Sequence, residues 1–259
     1  MPQQPPPPEG PNNRMDEHGQ AAQKPGEKSA QWTGKGVRVA VIDSGVNPNH
    51  PHVNGVAGGT AIGCEDDSYL DVLGHGTAVL AAIKEKAPEA EFYAVKVYYR
   101  SLRTNFECLA GAFRWAIEHQ MDVINMSLGT ANNAYEAQMT SLIQLAEEAG
   151  TAVVAAVEME SLPAFPGSLP GVIGVGVDWE CPRDAFYFEA SYPRPRWLAS
   201  GYPRTLPGVH PLRNLYGVSF AVANMSGFVA RACQGVKGEP GTTIDRVLHQ
   251  ESAASLLRR

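Results

Sequence analysis

From Gly36 onward, short β-branched apolar runs alternate with longer stretches whose apolar residues recur at helical spacing. That alternation constrains the fold more than any other feature of the chain. VRVAVID (37–43), EFYAVKV (91–97), DVINMSLG (122–129), TAVVAAV (151–157) and GVIGVGVD (171–178) read as strands. HGTAVLAAIKEK (75–86), FECLAGAFRWAIEHQ (106–120), AYEAQMTSLIQLAEEAG (134–150), SFAVANMSGFVARACQG (219–235) and the closing TIDRVLHQESAASLL read as helices. Strands this uniformly apolar are buried on both faces. The pattern therefore predicts an α/β fold, a mostly parallel central sheet with helices on both faces, in a single domain over residues 36–259.

The first 35 residues have a different texture. Seven of the chain's 20 prolines fall within residues 1–25, and four acidic side chains balance four basic ones. A stretch so poor in apolar residues cannot offset its ordering entropy, so residues 1–35 are expected to be a disordered tail. The run Pro5 to Pro8 is a candidate polyproline ligand for an unknown partner, but it reads more simply as a solvated segment.

Charge and composition exclude whole function classes. With 27 acidic against 21 basic residues and a net charge of -6, the chain has no basic surplus with which to neutralise phosphates, so nucleic acid is not an expected partner. No uncharged apolar run reaches the ~18 residues of a membrane span. The start, MPQQPPPPEG, lacks the basic and apolar regions of a secretory signal. Cys64, Cys108, Cys181 and Cys233 lie far apart, without C-x-x-C spacing. A zinc site or disulfide framework is therefore not expected, and a reducing, cytoplasmic setting is.

In parallel sheets reactive groups collect where strands end. The first strand ends in Asp43-Ser44-Gly45, one helix opens with Gly74-His75-Gly76-Thr77, and another with Gly217-Val218-Ser219-Phe220. A serine hydroxyl needs a base to take its proton during attack, and histidine suits the task at neutral pH. The histidine in turn needs a carboxylate to hold its tautomer and stabilise the imidazolium. Each piece has an everyday alternative: a turn for Asp-Ser-Gly, a surface position for the histidine, an N-cap for Ser219. Their joint occurrence at element ends, in the order Asp43, His75, Ser219, is far more specific.

At these residues the sequence resembles the subtilisin-like serine peptidases. VAVIDSGVNPNHPHV is similar to the family's aspartate motif and LGHGTAVLAAI to its histidine motif. YGVSFAVANMSGFVA is similar to its serine motif, Gly-Thr-Ser-Met-Ala-x-Pro, with Val218 for the threonine and Ala223 for the proline. The likeness extends over about residues 37–250. It implies a serine endopeptidase working through an acyl-enzyme, with Ser219 as nucleophile, His75 as general base and acid, and Asp43 as orienting carboxylate. It also implies an extended peptide substrate held between Ser127-Leu128-Gly129 and Leu102-Arg103-Thr104, with no cofactor.

The chain departs from the family at the oxyanion hole. The backbone N–H of Ser219 remains, but the asparagine expected after the Ala155-Ala156 strand is replaced by Met159 or, one position earlier, by Glu158. Loss of such a donor costs roughly 10²–10³ in kcat. The segment SLPAFPG is short for a pocket floor, and Glu158 is a candidate for reading a basic residue before the scissile bond. Glu65, Asp66, Asp67 and Asp71 form an acidic loop without a recognisable calcium signature, so no metal is expected. The context implied is that of compact intracellular members that trim ribosomally made peptides. A pseudo-protease that only binds peptides, and a transpeptidase or macrocyclase, are the competing functions.

Overall fold

The computed structural model describes residues 32–63, 68–159, 162–191, 193–210, 213–239 and 241–256. The run at 37–43 forms β1 (Arg38–Asp43), and its alternating side chains sort to opposite faces. Val39 and Val41 enter one buried cluster, while Ala40 and Ile42 enter the other. Next come β2 (Gly58–Ala61), α1 (His75–Lys86), β3 (Glu91–Lys96), α2 (Phe106–Glu118), β4 (Val123–Met126), α3 (Glu136–Glu148) and β5 (Ala152–Ala156). The remainder is a short hairpin of β6 (Glu158–Met159) and β7 (Leu162–Pro163), then β8 (Val172–Val177), β9 (Phe186–Glu189), β10 (Arg196–Ala199), α4 (Val218–Gly238) and α5 (Ile244–Leu256).

Eight strands form one sheet in the order β2-β3-β1-β4-β5-β8-β10-β9. Every pairing in it is parallel except that of β10 with β9. Helices α1, α4 and α5 cover one face through Leu80, Ile83, Phe220, Met225, Phe228 and Leu248. Helices α2 and α3 cover the other through Leu109, Phe113, Met139, Leu142 and Ile143. The three-layer α/β architecture expected from the sequence is the one observed. Strand β1 pairs with β3 on one side and β4 on the other, so the chain passes over β1 between them. The strand order reverses at that point, and a crevice opens at the carboxyl ends of β1, β3 and β4.

The strong periodic segments lie within a few residues of their expected bounds. Four features were not anticipated: β2, the β6–β7 hairpin, β9 and β10. Each has four residues or fewer and lacks a clean apolar run, GGTA in β2 and RWLA in β10 being examples. Such strands are made by their neighbours rather than by their own pattern.

The domain boundary also moves. Residues 1–31 of the expected tail lie outside the described residues. Residues 32–35, assigned to that tail by composition, are docked instead. The backbone N–H groups of Thr33, Gly34 and Lys35 all donate to Oε1 of Gln234 near the end of α4, at 2.9, 2.9 and 3.2 Å. The Trp32 ring packs so close to Gly235 that a Cβ there would stand 2.2 Å from it. One aromatic ring at the tail's edge supplies the apolar burial that the rest of the segment lacks. Trp32→Ala should therefore destabilise the domain by about 2 kcal/mol, half the cost of deleting a fully buried ring. Chemical denaturation against wild type measures it, and an unchanged midpoint would mean that residues 32–35 are merely resting on α4.

Candidate active site

Asp43 closes β1 and is fully buried, at 0% exposure. Its Oδ1 accepts the backbone N–H of Ser44 at 2.7 Å and lies 2.7 Å from Nδ1 of His75. Its Oδ2 is buried without a hydrogen-bond partner among the described residues. The contact with His75 requires the start of α1 to approach the end of β1 closely. Gly76 permits this, because a Cβ there would stand 2.2 Å from the Gly45 carbonyl oxygen and 3.1 Å from Cβ of Asp43.

The first turn of α1 is tied down by a carboxylate lying ahead of it. Asp71 Oδ1 accepts from the Ser44 hydroxyl and from the N–H groups of Leu73 and Gly74, at 2.9, 2.9 and 2.8 Å. Its Oδ2 accepts from the N–H and hydroxyl of Thr77, at 2.9 and 2.6 Å. Ser44 in turn accepts the Gly76 N–H at 2.9 Å. Asp71 thus does the work of an N-cap for the helix that carries His75, whose own N-cap residue, Gly74, provides no side chain. Asp71 therefore belongs to the helix start rather than to a solvated acidic loop; an acidic residue four positions ahead of a helix start is the sequence signal for this capping role. Residues 65–67 of that loop lie outside the described residues.

Burial favours the neutral form of His75, but the hydrogen bond and charge of Asp43, with Asp71 behind it, outweigh burial and hold the imidazole above its ordinary pKa. Burial together with the Asp43 charge pushes the Tyr98 hydroxyl far up, keeping it protonated.

Ser219 stands in the first turn of α4, and the ring of the next residue, Phe220, lies against the His75 ring with centroids 5.8 Å apart. Asp43, His75 and Ser219 are therefore gathered at one end of the sheet. The expected Ser219–His75 hydrogen bond is absent, however. The Ser219 hydroxyl donates to the Ser127 carbonyl oxygen at 3.1 Å. The Ser127 hydroxyl answers, facing the Ser219 carbonyl oxygen at 3.1 Å and Oδ1 of Asn125 at 3.0 Å. Asn125 donates through Nδ2 to the Ser226 hydroxyl at 2.9 Å, and that hydroxyl donates to the Val222 carbonyl oxygen at 2.9 Å. A buried polar chain thus runs from the interior of α4 through the end of β4 to Ser219. It has no sequence signature, because Asn125 and Ser226 stand in otherwise apolar runs.

The two segments expected to hold a peptide do face each other. Leu102, Arg103 and Thr104 line one side, and Leu128 and Gly129 the other, of a cavity of about 420 Å³ that Phe165 and Phe106 complete. Phe106 stacks on Tyr135 with centroids 4.5 Å apart. Ser127 lies just inside, buried.

Glu158 does not fit the substrate-reading role foreseen for it. Its carboxylate is bound by Nη1 of Arg196 at 2.7 Å, while Nε of the same arginine holds Glu189 at 2.6 Å. Glu158 lines a different cavity, of about 720 Å³, on the other side of the β6–β7 hairpin. Met159 is the neighbour that reaches the groove. It is 39% exposed, and a Cβ on Gly129 would stand 3.3 Å from its sulfur. Among the described residues no group of three or more His, Cys, Asp and Glu side chains is arranged to hold a metal ion, and no helix is long and apolar enough to cross a membrane.

A model of the subtilase family matches residues 34–256. Subtilisin E of Bacillus subtilis (strain 168) is 34% identical over 167 residues, which cover 59% of this chain and 43% of that protein. The chain therefore spans less than half the length of that relative. Subtilisin BL of Lederbergia lenta is 36% identical over 213 residues, covering 78% of this chain and 75% of that protein. The crystal structure of a cold-adapted subtilisin-like serine proteinase shares the fold with a TM-score of 0.63 at 22% identity, over 86% of this chain and 84% of that one.

In an NMR titration His75 should have a midpoint above 6.5, and Asp43→Asn should lower it. Because the folded-state pKa is raised, the stability that this pair adds is fully present below pH 6.5 and fades as pH rises through the folded midpoint. A midpoint below 6.5 in the wild type would mean that burial outweighs the carboxylate.

Proposed function

The chain belongs to the subtilase family, and from that premise we propose that it is a serine endopeptidase in which Ser219 attacks the peptide carbonyl, His75 carries the proton and Asp43 orients His75. The observation that carries this reading is the buried Asp43–His75 hydrogen bond of 2.7 Å beside the helix start that bears Ser219. For attack, the Ser219 hydroxyl leaves the Ser127 carbonyl and turns to Nε2 of His75. His75 takes the proton as the acyl-enzyme forms and returns it to the leaving amine, and water then releases the acyl group. The substrate lies extended along Ser127-Leu128-Gly129, opposite Leu102-Arg103-Thr104, with apolar side chains reaching the cavity floored by Phe165. Trimming of peptide precursors in a reducing, cytoplasmic setting is part of the proposal, supported by the separated cysteines.

A second reading, a groove that binds peptides without cleaving them, has two observations in its favour: the Ser219 hydroxyl bonds to Ser127 rather than to His75, and residues 158–159 offer no side-chain amide donor. A fluorophosphonate probe separates the two. The peptidase reading expects labelling of the wild type at Ser219, loss of labelling in Ser219→Ala, and a fall in kcat of about 10⁴ in Asp43→Asn. An unlabelled, folded wild type favours the binding module.

The oxyanion hole supplies a sharper test. A thioether donates no proton, so Met159 leaves the developing charge to the Ser219 N–H. Met159→Asn should raise kcat at least tenfold with little change in KM, since the new bond forms mainly in the transition state. Glu158→Asn should give no such gain, because position 158 faces Arg196 and not the groove. Steady-state kinetics on one cleaved peptide checks both, and a gain confined to Glu158→Asn would put the donor position one residue earlier.

A further inference from the structure

A second cavity, of about 440 Å³, opens beside the same machinery. Gly74, just ahead of His75, and Leu215, four positions ahead of Ser219, both line it. Its walls carry basic groups: Arg204 with His50 and His52.

Arg204 is half-buried, and its guanidinium makes no ion pair among the described residues. The His52 backbone N–H donates to Nδ1 of His50 at 3.2 Å, so the proton of a neutral His50 ring sits on Nε2, which is a donor. The His52 ring feels both neighbours: burial first, then the charges of Arg204 and His50, lower its pKa. Asp71 is the one carboxylate among the described residues lining the cavity, and its two oxygens already accept five hydrogen bonds that hold the start of α1.

Behind Arg204 the charges are balanced, two cations against two carboxylates, so none of those carboxylates is left for Arg204. Burial first, and the Arg204 charge after it, lower the pKa of Lys86 and Arg183, and Glu85 is bound to both. Asp184, also near them, acts on the same pair. In a chain with a net charge of -6, a partly desolvated guanidinium facing a cavity with no free carboxylate is an unfilled electrostatic demand. A carboxylate entering from outside would meet a planar fork of donors and an Nε2–H.

We propose that this cavity takes an acidic side chain of the peptide substrate, within a few residues of the scissile bond, with Arg204 as its specificity-determining residue. The inference rests on the peptidase reading for its position relative to the cleaved bond but not for the binding of the carboxylate.

The test is cleavage-site profiling of a randomised synthetic dodecapeptide library by mass spectrometry, with wild type and Arg204→Gln. Asp and Glu should be enriched about tenfold at one position within three residues of the cut. The enrichment should vanish in Arg204→Gln while cleavage of peptides lacking acidic residues persists, and Arg204→Lys should restore part of the enrichment. Acidic enrichment that is absent, or that survives in Arg204→Gln, overturns the proposal. If the wild type cleaves nothing, the peptidase reading has failed, and the site is tested separately by retention of the same library on immobilised Ser219→Ala protein. Arg204-dependent retention of acidic peptides then supports the cavity's role, and indifference to charge overturns it.

Discussion

Everything at the carboxyl end of the sheet depends on one carboxylate held out of water at the tip of β1. Asp43 loses its hydration on folding, and what offsets that cost is the Ser44 N–H and the His75 ring, both at 2.7 Å. The ring reaches it only because α1 begins almost on top of β1, with glycine at 76 and with Asp71 and Ser44 cross-linking the two elements. Position, tautomer and basicity of the imidazole therefore share one origin. Just beyond β3, the same charge adds to burial in holding the Tyr98 hydroxyl protonated. A buried acid at the strand reversal thus acts on the helix that follows and on the loop after β3.

The legible part of this structure is the part in which local pattern and tertiary role agree. The helix at 75–86 was readable to the residue because its apolar stripe, its glycine start and its terminal lysines all belong to a single element. The uniformly apolar β1 and β5 could only be buried central strands. The candidate triad was legible because each member stands where a strand or helix ends. By contrast, β9 and β10 form an edge stabilised by Trp197 packing against Phe186 and Phe188, a contact no window of four residues announces. Trp32 was swept into a proline-rich tail by the composition around it, although its own ring decides where it goes.

The stretch 157–163 shows the limit of reading by motif. Counting along the chain puts Met159 at one place without a gap and Glu158 there with a shift of one. In the structure they are consecutive residues of a two-residue strand and face different surroundings. Arg196, from a strand nearly forty positions later, holds Glu158 and Glu189 in a three-member ion network. Met159 is thereby left to the groove. Charge pairing across the sheet, invisible in sequence spacing, decides which of the two can meet a substrate.

The polar chain from Ser226 through Asn125 and Ser127 to Ser219 bears on how this protein can drift over generations. Ser226 lies two turns inside α4, surrounded by apolar side chains, where an alanine or valine would ordinarily be a harmless exchange. Here its hydroxyl orients Asn125, and Asn125 orients the residue on which the Ser219 hydroxyl rests. Substitutions at interior positions 125 and 226 are thus filtered by the chemistry at the surface as well as by packing. Two lineages could keep the same triad and the same core volume yet hold their nucleophiles at different resting angles.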